Sequence, residues 1–234
     1  MQERSKPFLY YQKFNRFMLK RQFKSILRKN IMTSSFLDVY FITKFYLDEK
    51  GWTRSRRTKR PVTKDGDSLP WLTYPAIEFV KERLKSNFEI FEFGSGNSTL
   101  FFSERVQLII SVESDRDFFE LLQPQLSSKK NVEYLYKNSE NSEFSESILP
   151  YKEKFDVVIV DGADRVNCGI NAVDALKSDG VIIWDNSDRK EYQDGYDYLI
   201  KKGFKRIDFV GHGPIGYKEW ATSIFYLKEN CFGI

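Results

Sequence analysis

From residue 70 to the end of the chain, apolar runs of five to nine residues alternate with stretches of helical period, and the last two runs stand only nine residues apart. That alternation specifies a doubly wound α/β domain, because a parallel sheet buries both faces under the helices that connect its strands. Runs at 89–93, 107–112, 132–136, 155–160, 180–184, 205–210 and 219–227 predict seven strands, with helices at 74–85, 97–105, 116–126, 166–177 and 188–202. The connection 211–219, with Gly211, Gly213, Pro214 and Gly216, is too short for a parallel crossover. The last two strands are therefore an antiparallel hairpin closing an otherwise parallel sheet.

Ligands of such sheets sit beyond the carboxyl ends of the strands. In residues 88–98, Phe-Glu-Ile-Phe-Glu-Phe-Gly-Ser-Gly-Asn-Ser, Glu92 closes an apolar run and Gly94 and Gly96 open the turn into the next helix. Gly94 permits the tight turn, Gly96 removes a Cβ where a nucleoside must approach, and Asn97, Ser98 and Thr99 offer oxygens to cap the helix. Nineteen residues after Gly94, the run Leu108-Ile109-Ile110-Ser111-Val112 ends in Glu113. A carboxylate so placed can accept two hydrogen bonds from ribose hydroxyls. Thr99 stands where a dehydrogenase fingerprint has its third glycine, which makes a pyrophosphate a poor fit.

The acidic-x-Gly-x-Gly pattern of Glu92, Gly94 and Gly96, with Glu113 after the second strand and the closing hairpin, resembles the class I S-adenosylmethionine-dependent methyltransferases from about Trp71 to the C-terminus. The resemblance implies a seven-stranded Rossmann-like methyltransferase sheet and S-adenosylmethionine as cofactor. It implies Glu92, Gly94, Ser95, Gly96, Asn97, Ser98, Glu113 and Asp161 as cofactor-binding residues, the acidic side chain and glycine backbone holding the amino-acid part.

Carboxylates recur at the strand ends: 155–160 runs into Asp161-Gly162-Ala163-Asp164-Arg165, and 180–184 into Asp185-Asn186-Ser187-Asp188-Arg189. Asp161, Asp185 and Asn186 resemble the oxygen ligands with which catechol-type O-methyltransferases hold magnesium, a hard cation suited to such donors. Two other uses are open to them: Asp161 hydrogen-bonding substrate or cofactor directly, and Asp185-Asn186 capping a helix. Asp161 and His212, the latter in the hairpin loop, are the candidate general bases. Arg165 and Arg189 either bind an anionic substrate or pair with neighbouring aspartates.

The N-terminal part has a different character. Residues 1–64 carry 17 Lys+Arg against 4 Asp+Glu, a net of +13 in a chain whose total is +4. A basic amphipathic helix is expected over 8–29, a second aromatic helix over 36–47 capped by Ser34 or Ser35, and an irregular basic connection over 53–70 turning at Asp65-Gly66. The expected division is a helical basic extension and linker, 1–69, and a cofactor-binding domain, 70–234. The charge suits an anionic membrane surface or an acidic polymer, whereas an apolar stripe can equally pack on the domain.

Two cysteines, Cys168 and Cys231, and the single His212 exclude a disulfide framework and a Cys/His zinc site. No stretch approaches the roughly 18 apolar residues of a membrane span, and no export signal is expected. The expected location is the cytoplasm, with peripheral membrane contact through the basic extension.

Nucleic acid is disfavoured as the substrate. Asp161-Gly162-Ala163 replaces the Asn/Asp-Pro-Pro-aromatic signature that in other families grips a target nitrogen, and neither cysteine sits in a Pro-Cys motif. The expected activity is O-methylation of a sugar, glycan or other small hydroxylated acceptor. Two alternatives are a non-catalytic scaffold docking through its basic N-terminus, opposed by the intact Glu92, Gly94, Gly96 and Glu113, and an NAD(P)-dependent oxidoreductase, opposed by Thr99 and the terminal hairpin.

Overall fold

The seven apolar runs pair into one sheet. Its strands are β1 (Glu89–Phe93), β2 (Leu108–Glu113), β3 (Val132–Tyr136), β4 (Phe155–Val160), β5 (Leu176–Asp185), β6 (Lys205–Gly211) and β7 (Trp220–Tyr226), in the order β3-β2-β1-β4-β5-β7-β6. The first five pair in parallel; β7 alone runs against its neighbours β5 and β6. The hairpin follows from the short connection, and it lays Asp185 opposite Thr222. The computed structural model describes residues 31–234.

Eight α-helices are described: α1 (Ile31–Ile42), α2 (Trp52–Thr58), α3 (Tyr74–Lys81), α4 (Asn97–Ser103), α5 (Arg116–Leu126), α6 (Glu143–Glu146), α7 (Arg165–Ala172) and α8 (Gln193–Lys201). Alternation along the strands makes two cores. Ile90, Ile109, Val157, Ile159 and Ile183 pack with Ile77 and Val80 of α3 and Phe101 of α4. Phe91, Phe93, Val158, Val160 and Trp184 face the other way, onto Cys168 and Ala172 of α7 and Tyr196 and Leu199 of α8. Strands buried on both sides explain why their sequences are continuously apolar rather than alternating. Glu92 breaks the β1 run on the side of Ile90, where α4 covers it.

Several boundaries move. The expected helix 166–177 ends at Ala172, because Leu176 already pairs with Phe155 as β5, which starts earlier than 180. The expected helix 188–202 is a short 3-10 turn, Lys190–Tyr192, followed by α8. The aromatic helix expected over 36–47 is instead α1, continued by a π-helical turn, Thr43–Leu47. The basic helix expected over 8–29 lies outside the described residues.

The largest revision concerns 53–70. This segment begins with α2, capped by Gly51, and then turns back through a bridge between Val62 and Ser68, with Gly66 N–H donating to Thr63 O as the expected turn requires. Gly51 is required there: its φ is 83°, and a Cβ would lie 2.2 Å from Val62 O. Ser55 Oγ donates to Val62 O and accepts from Val62 N, both at 2.9 Å, closing the loop on itself. Lys50–Ile234 forms one compact unit, which thus includes the segment before Pro70.

Helices α7 and α8 approach β5 closely because two glycines face one tryptophan. Trp184 is fully buried, and a Cβ on Gly169 would stand 2.1 Å from its Cζ3. Tyr196 and Phe225 hold the indole in place, with ring centroids at 5.0 and 6.1 Å. Gly169→Ala should cost about 2–3 kcal/mol of overpacking, lowering Tm by roughly 4–12 °C in a thermal melt. An unchanged melt would mean that the indole can relocate.

Candidate functional site

The turn after β1 is organised by Glu92, a 1%-exposed carboxylate. Its Oε2 accepts from Thr99 Oγ at 2.6 Å and from Ser111 Oγ at 2.7 Å, and Thr99 Oγ in turn accepts from Gly96 N at 3.1 Å. Thr99, in the place of a third glycine, thus ties the glycine turn to the strand. Oε1 of Glu92 is buried and makes no geometrically formed hydrogen bond, although the Ser98 hydroxyl is near enough to the carboxyl to act on it. Burial pushes this carboxyl up to about 7, against the opposing pull of the Ser98, Thr99 and Ser111 hydroxyls. An unpaired buried acceptor costs about 1–3 kcal/mol, which a bound donor would recover.

The two glycines do different work. Gly94 (φ 91°) is crossed by the backbone after β4: a Cβ would lie 2.8 Å from Asp161 O. At Gly96 a Cβ would meet nothing nearer than Ser98 Oγ at 3.9 Å, so the space above it is open. Asn97 is buried, and its Nδ2 donates to Pro61 O at 2.7 Å; its side chain is engaged in holding the 52–61 segment down.

Glu113, buried at the end of β2, has every acceptor position filled from within the protein. Oε2 takes Ser95 N at 3.2 Å and Ser95 Oγ at 2.6 Å; Oε1 takes Ser114 N at 2.8 Å and Asp115 N at 2.9 Å. Ser95 Oγ also bonds Tyr134 OH at 2.9 Å. Of these donors only the serine hydroxyl is free to rotate away.

At the ends of β4 and β5 stand Asp161 and Asp185, joined by Arg165. The guanidinium donates Nη2 to Asp161 Oδ1 at 2.9 Å, Nη1 to Asp185 O, and Nε to Gly162 O at 3.0 Å. Arg165 therefore pairs with its neighbour, the second of the two uses left open for it. Asp185 is buried, and its Oδ1 accepts from Trp220 Nε1 at 2.9 Å and from Thr222 Oγ. Burial raises Asp185 to about 6 despite those two donors. Burial and the Asp185 charge hold Asp161 well above the usual carboxylate range, with Arg165 opposing. A quarter of the Asp161 side chain still meets solvent.

A magnesium ion does not fit these groups. Asp185 Oδ1 is taken by an indole N–H and a hydroxyl, and the Arg165 guanidinium already supplies the positive charge beside Asp161 that a dication would bring. Among the described residues no three His, Cys, Asp or Glu side chains converge as a metal site. Nor does Asp185-Asn186 cap a helix: Asn186 (φ 52°) turns the chain, and no side-chain cap bonds the 3-10 turn that begins at Lys190.

The hairpin loop lies at the same end of the sheet, but not as expected. The His212 side chain is exposed, with no hydrogen bond or ion pair among the described residues; its carbonyl accepts from Tyr74 N at 2.7 Å. The loop instead encloses Trp220, toward which Gly213 and Gly216 leave room: added Cβ atoms would stand 2.4 and 2.8 Å from the indole. Trp220 and Thr222, the partners of Asp185, were not legible in the sequence, because the β5–β7 register decides them. Cys168 and Cys231 are buried thiols, both raised by burial, Cys231 to about 12, so neither is a poised nucleophile.

Segment 52–61 spans this end of the sheet. Trp52 Nε1 donates to Gly216 O at 2.8 Å and Arg56 Nη1 to Ile215 O at 2.7 Å, in the β6–β7 loop. Pro61 O meets Asn97 after β1, and Arg60 Nη2 reaches Gln125 Oε1 on α5 at 3.3 Å. No described helix is long and apolar enough to cross a membrane.

No protein-family model matches this sequence, and no curated protein matches it. Three solved structures are similar in fold. The spermidine synthase of Thermotoga maritima aligns at 18% identity and TM-score 0.50 over 66% of this chain, which spans 61% of that enzyme's length. An rRNA methylase from Streptococcus thermophilus aligns at 14% identity and TM-score 0.51, covering 68% of this chain and 100% of its own. A precorrin-6y C5,15-methyltransferase from Geobacter metallireducens aligns at 16% and TM-score 0.51, over 65% and 87% of the two chains. With its strand order and single antiparallel strand, the chain has the class I methyltransferase fold.

Proposed function

We propose that this chain is an S-adenosylmethionine-dependent methyltransferase acting on a hydroxyl of a sugar, glycan or other small acceptor. The observations that support the cofactor are the buried Oε1 of Glu92, which makes no geometrically formed hydrogen bond, and the open space over Gly96 in the turn that Glu92 holds through Thr99. Such a carboxylate oxygen suits the cofactor's α-ammonium group, and the turn leaves room for its nucleoside. A ribose hydroxyl reaches Glu113 by replacing the rotatable Ser95 hydroxyl. Bound there, S-adenosylmethionine supplies an electrophilic sulfonium methyl to the acceptor oxygen.

The chain's own contribution is proton handling at Asp161. Its carboxyl is raised by burial and by Asp185, yet partly open to solvent, so it can take the acceptor's hydroxyl proton as the oxygen attacks. Arg165 orients that carboxylate, and Trp220 and Thr222 hold Asp185 behind it. An oxygen acceptor is favoured because a single carboxylate, without a proline-framed amide, faces the reacting group.

Calorimetric titration with S-adenosylhomocysteine tests this reading, with NADH as the competing ligand. Glu92 titrates at about 7, above its ordinary 4.5. Its contribution to folding is therefore complete below about 4.5 and lost as pH rises through about 7, and the ionised form needed by an ammonium group appears in the folded protein as pH passes about 7. Affinity for S-adenosylhomocysteine should rise about tenfold from pH ~6 to pH ~8, and Glu92→Gln should flatten that rise. Binding of NADH in its place would indicate oxidoreduction, and binding of neither would indicate a scaffold.

A further inference from the structure

The basic residues of segment 52–61 are matched by no carboxylate. Arg54, Arg56, Arg57, Lys59 and Arg60 fall within seven residues, and among the described residues none has an acidic partner within ion-pair distance. Elsewhere in the same unit some cations are paired, as Lys50 is with Glu78, Lys177 with Asp156 and Arg206 with Asp208, while single lysines such as Lys130 and Lys201 are not; what sets the segment apart is five cations within seven residues. Three of the five are fastened to neutral oxygens: Arg54 to Lys64 O, Arg56 to Ile215 O and Arg60 to Gln125 Oε1. Arg57 and Lys59 are exposed and have no partner among the described residues. Like charges three and four positions apart on a helix repel, so the folded segment holds this run at a cost.

The location of the run gives it a use. One end of the segment is fixed to the β6–β7 loop and the other to Asn97 after β1. In the sheet order, β4 and β5 stand between those anchors, and their carboxyl ends carry Asp161 and Asp185. The segment thus links the two sides of the strand ends that carry Asp161 and Asp185, and brings a row of cations to that end of the sheet. Tyr217, 69% exposed, lies against this row, with the Arg56 guanidinium 3.5 Å from its ring centre, and offers an apolar surface to a sugar ring.

We infer that the acceptor is an anionic glycan: its reacting hydroxyl enters the crevice at Asp161 while a sulfate, phosphate or carboxylate of the same molecule is held at the rim by Arg57, Lys59 and Arg60. This rests on the proposed methyltransferase function and names the substrate class of that same site. A neutral acceptor would leave the row uncompensated. The division of charge also orients the acceptor, since its anionic group is repelled from the carboxylates below and attracted by the cations above.

The test uses the full-length protein and a sulfated hexasaccharide, the same hexasaccharide after desulfation, and single-stranded RNA of matching charge, titrated by calorimetry at about 50 and about 200 mM salt. Arg57→Gln/Lys59→Gln/Arg60→Gln should lower affinity for the sulfated sugar about tenfold to a hundredfold, and desulfation should have the same effect on the wild-type protein. Lys13→Gln/Arg16→Gln/Lys20→Gln/Arg21→Gln, which removes N-terminal charge outside this segment, should retain most of the binding. Equal affinity in the wild type and the 57/59/60 variant, loss confined to the N-terminal variant, or a preference for RNA would each overturn the inference. S-adenosylhomocysteine is titrated into the same samples. Its failure to bind would sink the methyltransferase reading itself, whereas normal binding without segment-dependent sugar affinity sinks this inference alone.

Discussion

Asp161→Asn is expected to lower turnover by ~10²–10⁴ while leaving affinity for S-adenosylhomocysteine within about twofold of the wild type. The substitution is nearly silent structurally. Asn keeps an oxygen for Arg165 Nη2, and the guanidinium remains fastened to Gly162 O and Asp185 O. What is removed is the capacity to take a proton. In the native protein burial and the Asp185 charge make that carboxyl more basic than an ordinary aspartate. Because the Asp185 charge acts on Asp161, the two titrate as a pair, and kcat/KM should rise with pH through the pair's apparent values and then level. The variant should keep only a shallow dependence. Turnover equal to the wild type on the same acceptor would remove Asp161 as the base; a parallel loss of cofactor affinity would make it a binding residue instead.

Gly96→Val should weaken S-adenosylhomocysteine binding by roughly 5–150-fold, the ~1–3 kcal/mol typical of forcing extra atoms into an occupied contact. The nearest protein atom to a Cβ at this position is 3.9 Å away, so the valine side chain enters open space, not the core. The loss should appear in affinity together with some lowering of Tm, because φ at Gly96 is 159°, a conformation that L side chains rarely adopt. Gly96→Ala, with less volume, should lose only a few-fold. Gly94→Ala differs in its obstruction: besides a φ of 91°, a Cβ there lies 2.8 Å from Asp161 O, which predicts the larger fall in Tm, ahead of any effect on binding. Valine at 96 with native affinity would mean that the ligand does not pass over this turn.

The contrast between these glycines shows where sequence reading succeeds. Glu92, Gly94, Gly96 and Glu113 were legible because strand, turn and strand end follow one another locally, and their spacing survives any rearrangement of distant parts. The reason Gly94 must be glycine was not legible, since the obstruction comes from the backbone beyond β4. In the sequence Thr99 stands as a missing third glycine and a capping oxygen; its bond to Glu92 is visible only in the fold. Segment 53–70 was read as irregular because seven residues rich in arginine show no apolar period, and α2 is held by contacts such as Trp52 with Gly216, 164 positions away. Arg165 carried two readings until its guanidinium was found between two strand ends.

By itself the sequence determined the seven strands, the closing hairpin and the acidic and glycine residues at the strand ends. These depend on hydrophobic period and short connections, which act over a few residues. Tertiary structure decided which carboxylates are buried, which cation neutralises them, that the His212 side chain is exposed with no hydrogen bond among the described residues, and that a basic segment links the two sides of the strand ends. Burial and pairing depend on neighbours brought together by sheet order and register, and those neighbours are far apart along the chain.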